Sequence, residues 1–328
     1  MEKYLVLLLT GVTLPAFAEP SAVVDEQFKD KTTIAEQKQR VVKVILIIDI
    51  AKPEADGVSD NRFSKFNVPN SAVFNNSLAD GKSQLGGDLK KNQHFDKEAA
   101  KAILSQVTGS EMSKIQGGLE VFGQKADLII VNPNGIELNG VKTINSDRFV
   151  AAAANVTEKG KYDKLTTSKG KVVIGANGVA TNGLSYFDVV AKTIEQKGTI
   201  GPEKDTKNHP TANITFAAGN LDYDLKTRDI KARENGTGNK FRIKSKDESE
   251  IAISGELAGA MYGKNIQFIT TDSGAGVNHK GTILSEQDIK IATKEGSITV
   301  QKVHANKIAA EGKNFEVAQK GLVRANEI

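Results

Sequence analysis

From Val41 onward, apolar and polar residues alternate in short runs: VVKVILIIDI (Val41 to Ile50), GGLEVFG, ADLIIV, GKVVIGANGVA, DVVAKTIEQKG and ANITFAAG. A period of two over four to eight residues predicts strands whose successive side chains leave on opposite faces. Each run closes on Gly, Asn or Lys-Gly, residues that tolerate the positive φ of tight turns. One stretch reads as helix: FDKEAAKAILSQV (Phe95 to Val107), rich in Ala, Glu and Lys, predicts a short amphipathic segment.

The later strand patterns resemble one another. NITFA (Asn213), NIQFI (Asn265), DIKIA (Asp288) and NFEVA (Asn314) each set apolar side chains at alternate positions after a small polar residue. A second word recurs beside them as QKGTI (Gln196), HKGTI (His279) and QKGLV (Gln319). Ile266 and Ile289 are 23 residues apart and His279 and Gln319 are 40, or two turns of about 20, a spacing typical of stacked repeats. Strands this short cannot bury a face alone, but stacking one coil on the next pairs every backbone group and builds a continuous apolar interior. The expected fold is all-β, a right-handed parallel β-helix with an N-terminal cap and an extra-helical β-hairpin. A β-sandwich also spaces strands at 8 to 12 residues, but it has no reason to repeat the same strand words.

The ends and the exception to the pattern divide the chain. MEKYLVLLLTGVTLPAFAEP has Lys3, an apolar run from Tyr4 to Leu14, and a small-x-small site at Ala16 and Ala18, which predicts a signal peptide over 1–18. The run is shorter than the ~20 apolar residues of a membrane span. Residues 19–75 are expected to form the cap and first strands, and 76–328 the β-helix. Within it, 226–250 carries eight Lys or Arg against five Asp or Glu and the hairpin signal Asn235-Gly236. That excursion reads either as a basic grip for acidic glycans or as a solvated hairpin. Asn235-Gly236-Thr237 also fits an N-glycosylation pattern, which matches often by chance.

Composition narrows the function. The formal charge of +4 is spread among carboxylates, not gathered in a block, so nucleic acid is not an expected partner. An exported chain with no Cys is open to two readings: a core that needs no staples, or a route that a cross-linked chain could not thread.

The strongest strand signal, in LIIVNPNGIELNG (Leu128 to Gly140), runs into a rigid corner. In Asn132-Pro133-Asn134-Gly135, Pro sets φ near −65° at the second turn position, and the Asn132 side chain can bond an amide two residues on. Local chemistry therefore sets this corner before any tertiary contact exists, and such a corner could nucleate coil folding.

The surroundings of that corner, Ala99 to Asn145, resemble the N-terminal secretion domain of two-partner-secretion exoproteins: filamentous haemagglutinins, haemolysins of that route and contact-dependent growth-inhibition toxins. Upstream, SDNRFSKFNV (Ser59 to Val68) is similar to a family segment that usually has His where Asp60 stands. Downstream, Leu257 to Ile283 is similar to the stretch closing the domain. Two departures stand out: Asn92-Gln93-His94-Phe95 sits where the family has a second Asn-Pro-Asn-Leu element, without its Pro, and FVAAAANV (Phe149 to Val156) lies where a Thr-Gly turn is common.

The resemblance implies a monomeric chain that crosses the inner membrane by its signal peptide. It is then captured in extended form by the periplasmic POTRA domains of an outer-membrane β-barrel transporter, and folds at the surface of a Gram-negative bacterium or in the medium. It implies a secretion motif at Asn132, Pro133, Asn134, Gly135 and Ile136, with a remnant of a second at Asn92, Gln93, His94 and Phe95. Relatives of this kind run far longer, so a chain that stops after Asn326-Glu327-Ile328 is expected to be a fragment or a truncated frame.

Two other functions compete: a free-standing β-helix adhesin binding host or neighbouring-cell glycan or protein, and a β-helix polysaccharide lyase. The lyase needs gathered carboxylates, and the nearest pair is Asp222 with Asp224 in LDYDL. His94, His209, His279 and His304 begin no ligand-like spacing, and no nucleophile or phosphate-loop motif occurs. No enzyme activity, metal or cofactor is expected.

Overall fold

The structure, a computed structural model, describes residues 21–39, 43–157, 164–203, 210–233 and 250–328. The signal peptide with Ala16 and Ala18, the Asn235-Gly236 turn and His209 lie outside these residues.

The described chain winds into a parallel β-helix. One face is a ten-stranded sheet, parallel from Val58–Phe66 through Ala102–Val107, Asp127–Val131, Arg148–Ala152, Tyr186–Ala191, Asn213–Ala218, Asn265–Thr270 and Asp288–Thr293 to Lys307–Glu311. The other faces share long strands that bend in mid-course. Ile136–Ile144, Gly276–Ser285 and Ser297–His304 each shift register at a bulge and continue onto the next face. Gly140, at φ +71°, forms the first of these bends, a conformation that costs Gly little and other residues more.

Alternation along each strand fills the interior. Phe149 and Phe187 pair in register and stack at 5.5 Å, and Phe216 and Phe268 pair in register and meet edge-on at 5.7 Å. All four are fully buried, each contributing about 2–3 kcal/mol by removal from water. Isoleucine continues the column through Ile214, Ile266, Ile289 and Ile308. The 23-residue spacing from Ile266 to Ile289 is thus one rung.

Two expectations are corrected. Phe95 to Val107 contains no helix: Ala102–Val107 is a strand paired in parallel with Val58–Phe66 and Asp127–Val131. Helix propensities differ by a fraction of a kcal/mol per residue, less than two ladders of hydrogen bonds and the burial of Ile103 and Leu104 contribute. The word at Asn314 does not join Asn213, Asn265 and Asp288; it pairs with Ser297–His304 on another face, and the next rung of the first face is Lys307–Glu311.

Antiparallel strands close the N-terminal end. Ala22–Val24 pairs with Val58–Phe66, and Thr33–Gln39 with Lys43–Asp49. Such a cap covers edges that would otherwise template pairing with another chain.

The hairpin expected at 226–250 lies largely outside the described residues, and beside it the described chain leaves the coil at other strands. Ala154–Thr157, Lys164–Thr167, Leu221–Asp224 and Ile230–Ala232 form a four-stranded antiparallel sheet on the outer side of the ten-stranded face. Leu165, Leu221 and Tyr223 pack there against Ile129, Val150 and Val190.

Candidate functional site

The corner at Asn132 follows the strand Asp127–Val131, whose Leu128 and Ile130 enter the core. Asn132 is fully buried, and its Oδ1 accepts from the Asn134 amide at 2.9 Å, the Asx geometry that the sequence suggests. The Gly135 amide donates to the Asn132 carbonyl at 3.0 Å and closes the turn. Gly135 is at φ +126°, and a Cβ there would stand 2.9 Å from the Lys171 carbonyl oxygen of the next rung. Ile136, fully buried, opens the following strand between Ser113 and Val172.

The same side chains also tie rungs together. Asn132 Nδ2 donates to the Glu111 carbonyl at 2.8 Å and to Ser113 Oγ at 2.9 Å. Asn134 Nδ2 donates to the Gly109 carbonyl at 2.8 Å. A buried amide group that loses these bonds costs about 1–3 kcal/mol, so Asn132 fixes both the turn and its place on the rung below.

The Pro-less segment builds the same turn. Asn92 is fully buried, its Oδ1 accepts from the His94 amide at 2.8 Å, and the Phe95 amide donates to the Asn92 carbonyl at 3.3 Å. Asn92 Nδ2 bridges the carbonyls of Asn75 at 2.7 Å and Ile50 at 2.9 Å, while Phe95 is buried in the core. A corner without Pro lacks a pre-set φ but keeps the Asn chemistry that makes the turn. Gln93 and His94 face Thr33 of the cap, at 2.7 Å and 3.4 Å.

Other buried asparagines serve the same purpose and were not marked by the sequence. Asn61 Oδ1 accepts from the Ala51 amide and Thr32 Oγ1, and Asn76 bonds Ala100 and Gln124. Asn76 ends the strand Ser71–Asn76, whereas Asn61 lies within Val58–Phe66 among polar neighbours, so no common sequence signal marks the two. Asp60 is buried and held by Arg62 Nε at 3.0 Å and Gln106 Nε2 at 2.6 Å. It lies with His94 on a cleft of about 470 Å³ beside the cap.

The carboxylates of Asp222 and Asp224 are both bonded within the outer sheet and its turn. Asp222 bonds Thr166 Oγ1 at 2.8 Å and Lys164 Nζ at 3.1 Å. Asp224 accepts from the amides of Lys226 and Thr227, both at 2.8 Å; the Thr227 amide, ahead of other causes, holds its carboxyl below the usual range. Among the described residues no three His, Asp or Glu side chains gather to hold a metal ion. His279 is inside the core against Phe268, with Nε2 3.2 Å from Gln196 Oε1, and burial lowers its pKa to about 4.

A parallel β-helix whose corners are pinned by buried asparagine, capped at its start and carrying an outer antiparallel sheet, defines a protein of the β-solenoid class. Residues 23–300 match the model of the TPS secretion domain, and the chain belongs to that family, the secretion domain of two-partner-secretion exoproteins. It is 34% identical to the crystal structure of the filamentous hemagglutinin secretion domain, with a TM-score of 0.78, covering 93% of this chain and 100% of that one. It is 45% identical over 291 residues to protein adenylyltransferase and cysteine protease IbpA of Histophilus somni, covering 87% of this chain and 7% of that protein. With the filamentous hemagglutinin of Bordetella pertussis the identity is 38% over 287 residues, covering 83% and 8%. The chain thus spans less than a tenth of these two relatives.

Proposed function

We propose that this chain is the export-targeting domain of a larger exoprotein. After its signal peptide has crossed the inner membrane, the periplasmic POTRA domains of an outer-membrane β-barrel transporter hold its extended segments. Asn92–Phe95 and Asn132–Ile136 are the segments engaged, and the chain winds into the β-helix outside the cell. The cargo is an adhesin, a haemolysin or a contact-dependent inhibition toxin. The domain itself works by being recognised and by folding, not by catalysis; the chain covers 7% of the relative whose name carries adenylylation and proteolysis.

The observation that carries this reading is the repetition of one Asn-centred turn at two family segments, each set by bonds within four residues. A turn specified so locally can be recognised in an extended chain and can later start a rung. Unpaired strand segments are also what a partner sheet needs in order to add a strand. The absence of Cys agrees with threading, since a disulfide would close a loop that the barrel has to pass.

A secretion assay tests it. Asn132→Ala and Asn134→Ala are expected to lower the amount of protein outside the cell or to slow refolding of the purified chain. Normal export together with normal refolding in both variants would overturn the proposal.

A further inference from the structure

The ten-stranded face is interrupted on its outer side by a buried charge. Asp188, fully buried, stands in a register row between Val150 and Thr215. Its carboxylate accepts from Arg148 Nε at 3.2 Å, the Tyr223 hydroxyl at 2.8 Å and Arg228 Nη2 at 2.7 Å. Arg148 also donates from Nη2 to the Tyr223 hydroxyl at 2.7 Å. Two of these four residues lie on rungs of the helix, Tyr223 lies on the antiparallel sheet, and Arg228 lies in the turn between its strands Leu221–Asp224 and Ile230–Ala232.

That sheet is assembled from two hairpins distant in sequence. Lys164–Thr167 pairs with Leu221–Asp224, and Leu165 lies opposite Tyr223. Between them the chain winds through Lys171–Ile174, Tyr186–Ala191 and Asn213–Ala218. The first hairpin therefore has no partner strand, and Asp188 with Arg148 no Tyr223, until those rungs exist. Pairing across such a separation is paid for in loop-closure entropy before contacts reward it.

We propose that the four-stranded sheet is a clasp: a unit that closes after the rungs up to Ala218 have wound, locks through Tyr223 and Arg228 onto the Asp188–Arg148 pair, and opens without unwinding the helix. The proposal rests on the export reading only for its use, which is to close the outer face of rungs already wound from an exported chain. Closure then covers Ile129, Val150 and Val190, an apolar row that would otherwise be open to a second chain.

The test uses the purified mature chain with no transporter present. Pulse-labelled hydrogen exchange during refolding is expected to protect the amides of Ile130, Ala151 and Val189 before those of Leu165, Leu221 and Tyr223. At equilibrium, Tyr223→Phe keeps the ring and removes the hydroxyl, so clasp amides are expected to exchange about 10- to 100-fold faster while the rung amides keep their wild-type rates. Asp188→Asn is expected to produce a larger acceleration with the same pattern, and Tyr223→Phe decides the matter if that variant does not fold. Simultaneous protection of both sets, or equal acceleration of both or of neither in Tyr223→Phe, would overturn the clasp. Because no transporter is involved, failed secretion predictions for Asn132 or Asn134 leave this result untouched, and the converse also holds.

Discussion

Asn132→Asp isolates what the corner asparagine does, because the two side chains have nearly the same shape. The wild-type Oδ1 accepts from the Asn134 amide, a bond that Asp keeps. Nδ2, which donates to the Glu111 carbonyl and Ser113 Oγ, becomes an oxygen. The Ser113 hydroxyl can turn to donate, but the Glu111 carbonyl then faces a carboxylate at full burial. Leaving that group unpaired against a like partial charge costs about 3 kcal/mol at pH 7. The cost corresponds to a pKa raised by about two units above the unfolded ~3.9. The folded state then binds more protons than the unfolded one, so the deficit shrinks as pH falls from roughly 6 to 4, where the introduced carboxyl, once protonated, donates to Glu111 again. The assay is urea denaturation of variant and wild type side by side at pH 7 and pH 4, reading the midpoint difference at each pH. A variant as stable as wild type at pH 7, or equally weakened at both, would refute the reasoning.

Three further outcomes follow from the same structure. Gln93→Pro restores the missing turn residue at a position whose neighbours already make the corner, so the thermal midpoint is expected to rise, by about 0.4–1 kcal/mol in stability, and a fall would show that this turn does not tolerate the proline backbone. His279 has a folded pKa of about 4 against 6.5 unfolded, so its contribution is complete above pH 6.5 and is lost as pH falls towards 4; His279→Gln is expected to remove a slope of up to about 3 kcal/mol from a stability profile across that window, and an unchanged profile would contradict it. Gly255→Ala puts a Cβ 2.3 Å from His279 Cδ2, and is expected to cost at least about 1–3 kcal/mol in the wild type but much less with His279→Ala, a coupling that a double-mutant cycle of unfolding free energies measures.

The alternation and the repeated words made the helix legible because each rung meets the same neighbours above and below. Ile266 and Ile289 recur in sequence since they occupy one column of the interior. Phe95 to Val107 misled because Ala, Glu and Lys favour helix only weakly, and the pairing that overrides them comes from Val58 and Asp127 on other rungs. Asn314 misled for a related reason: strands on different faces carry the same alternation, and the face is set by the bends between them. The Asn132 corner could be read since its bonds are local, whereas its ties to Glu111 and Ser113 could not. Arg148 and Asp188 gave no signal at all: Asp188 is one charge in an apolar run, Arg148 follows Asp147 at the start of another, and Tyr223, which links them, is 75 residues beyond Arg148.

The proposed export route has the corner segments held by the transporter before they wind. A chain without Cys allows a clean measurement: single Cys residues at Gln93, at Glu137 beside Ile136, and at the exposed Lys290 as a control, cross-linked to Cys residues in the transporter's periplasmic domains during arrested export. The prediction is cross-links from Gln93→Cys and Glu137→Cys in the arrested chain, with none from Lys290→Cys and none from the folded, purified protein. Cross-links equal at all three positions, or obtained with the folded protein alone, would contradict it.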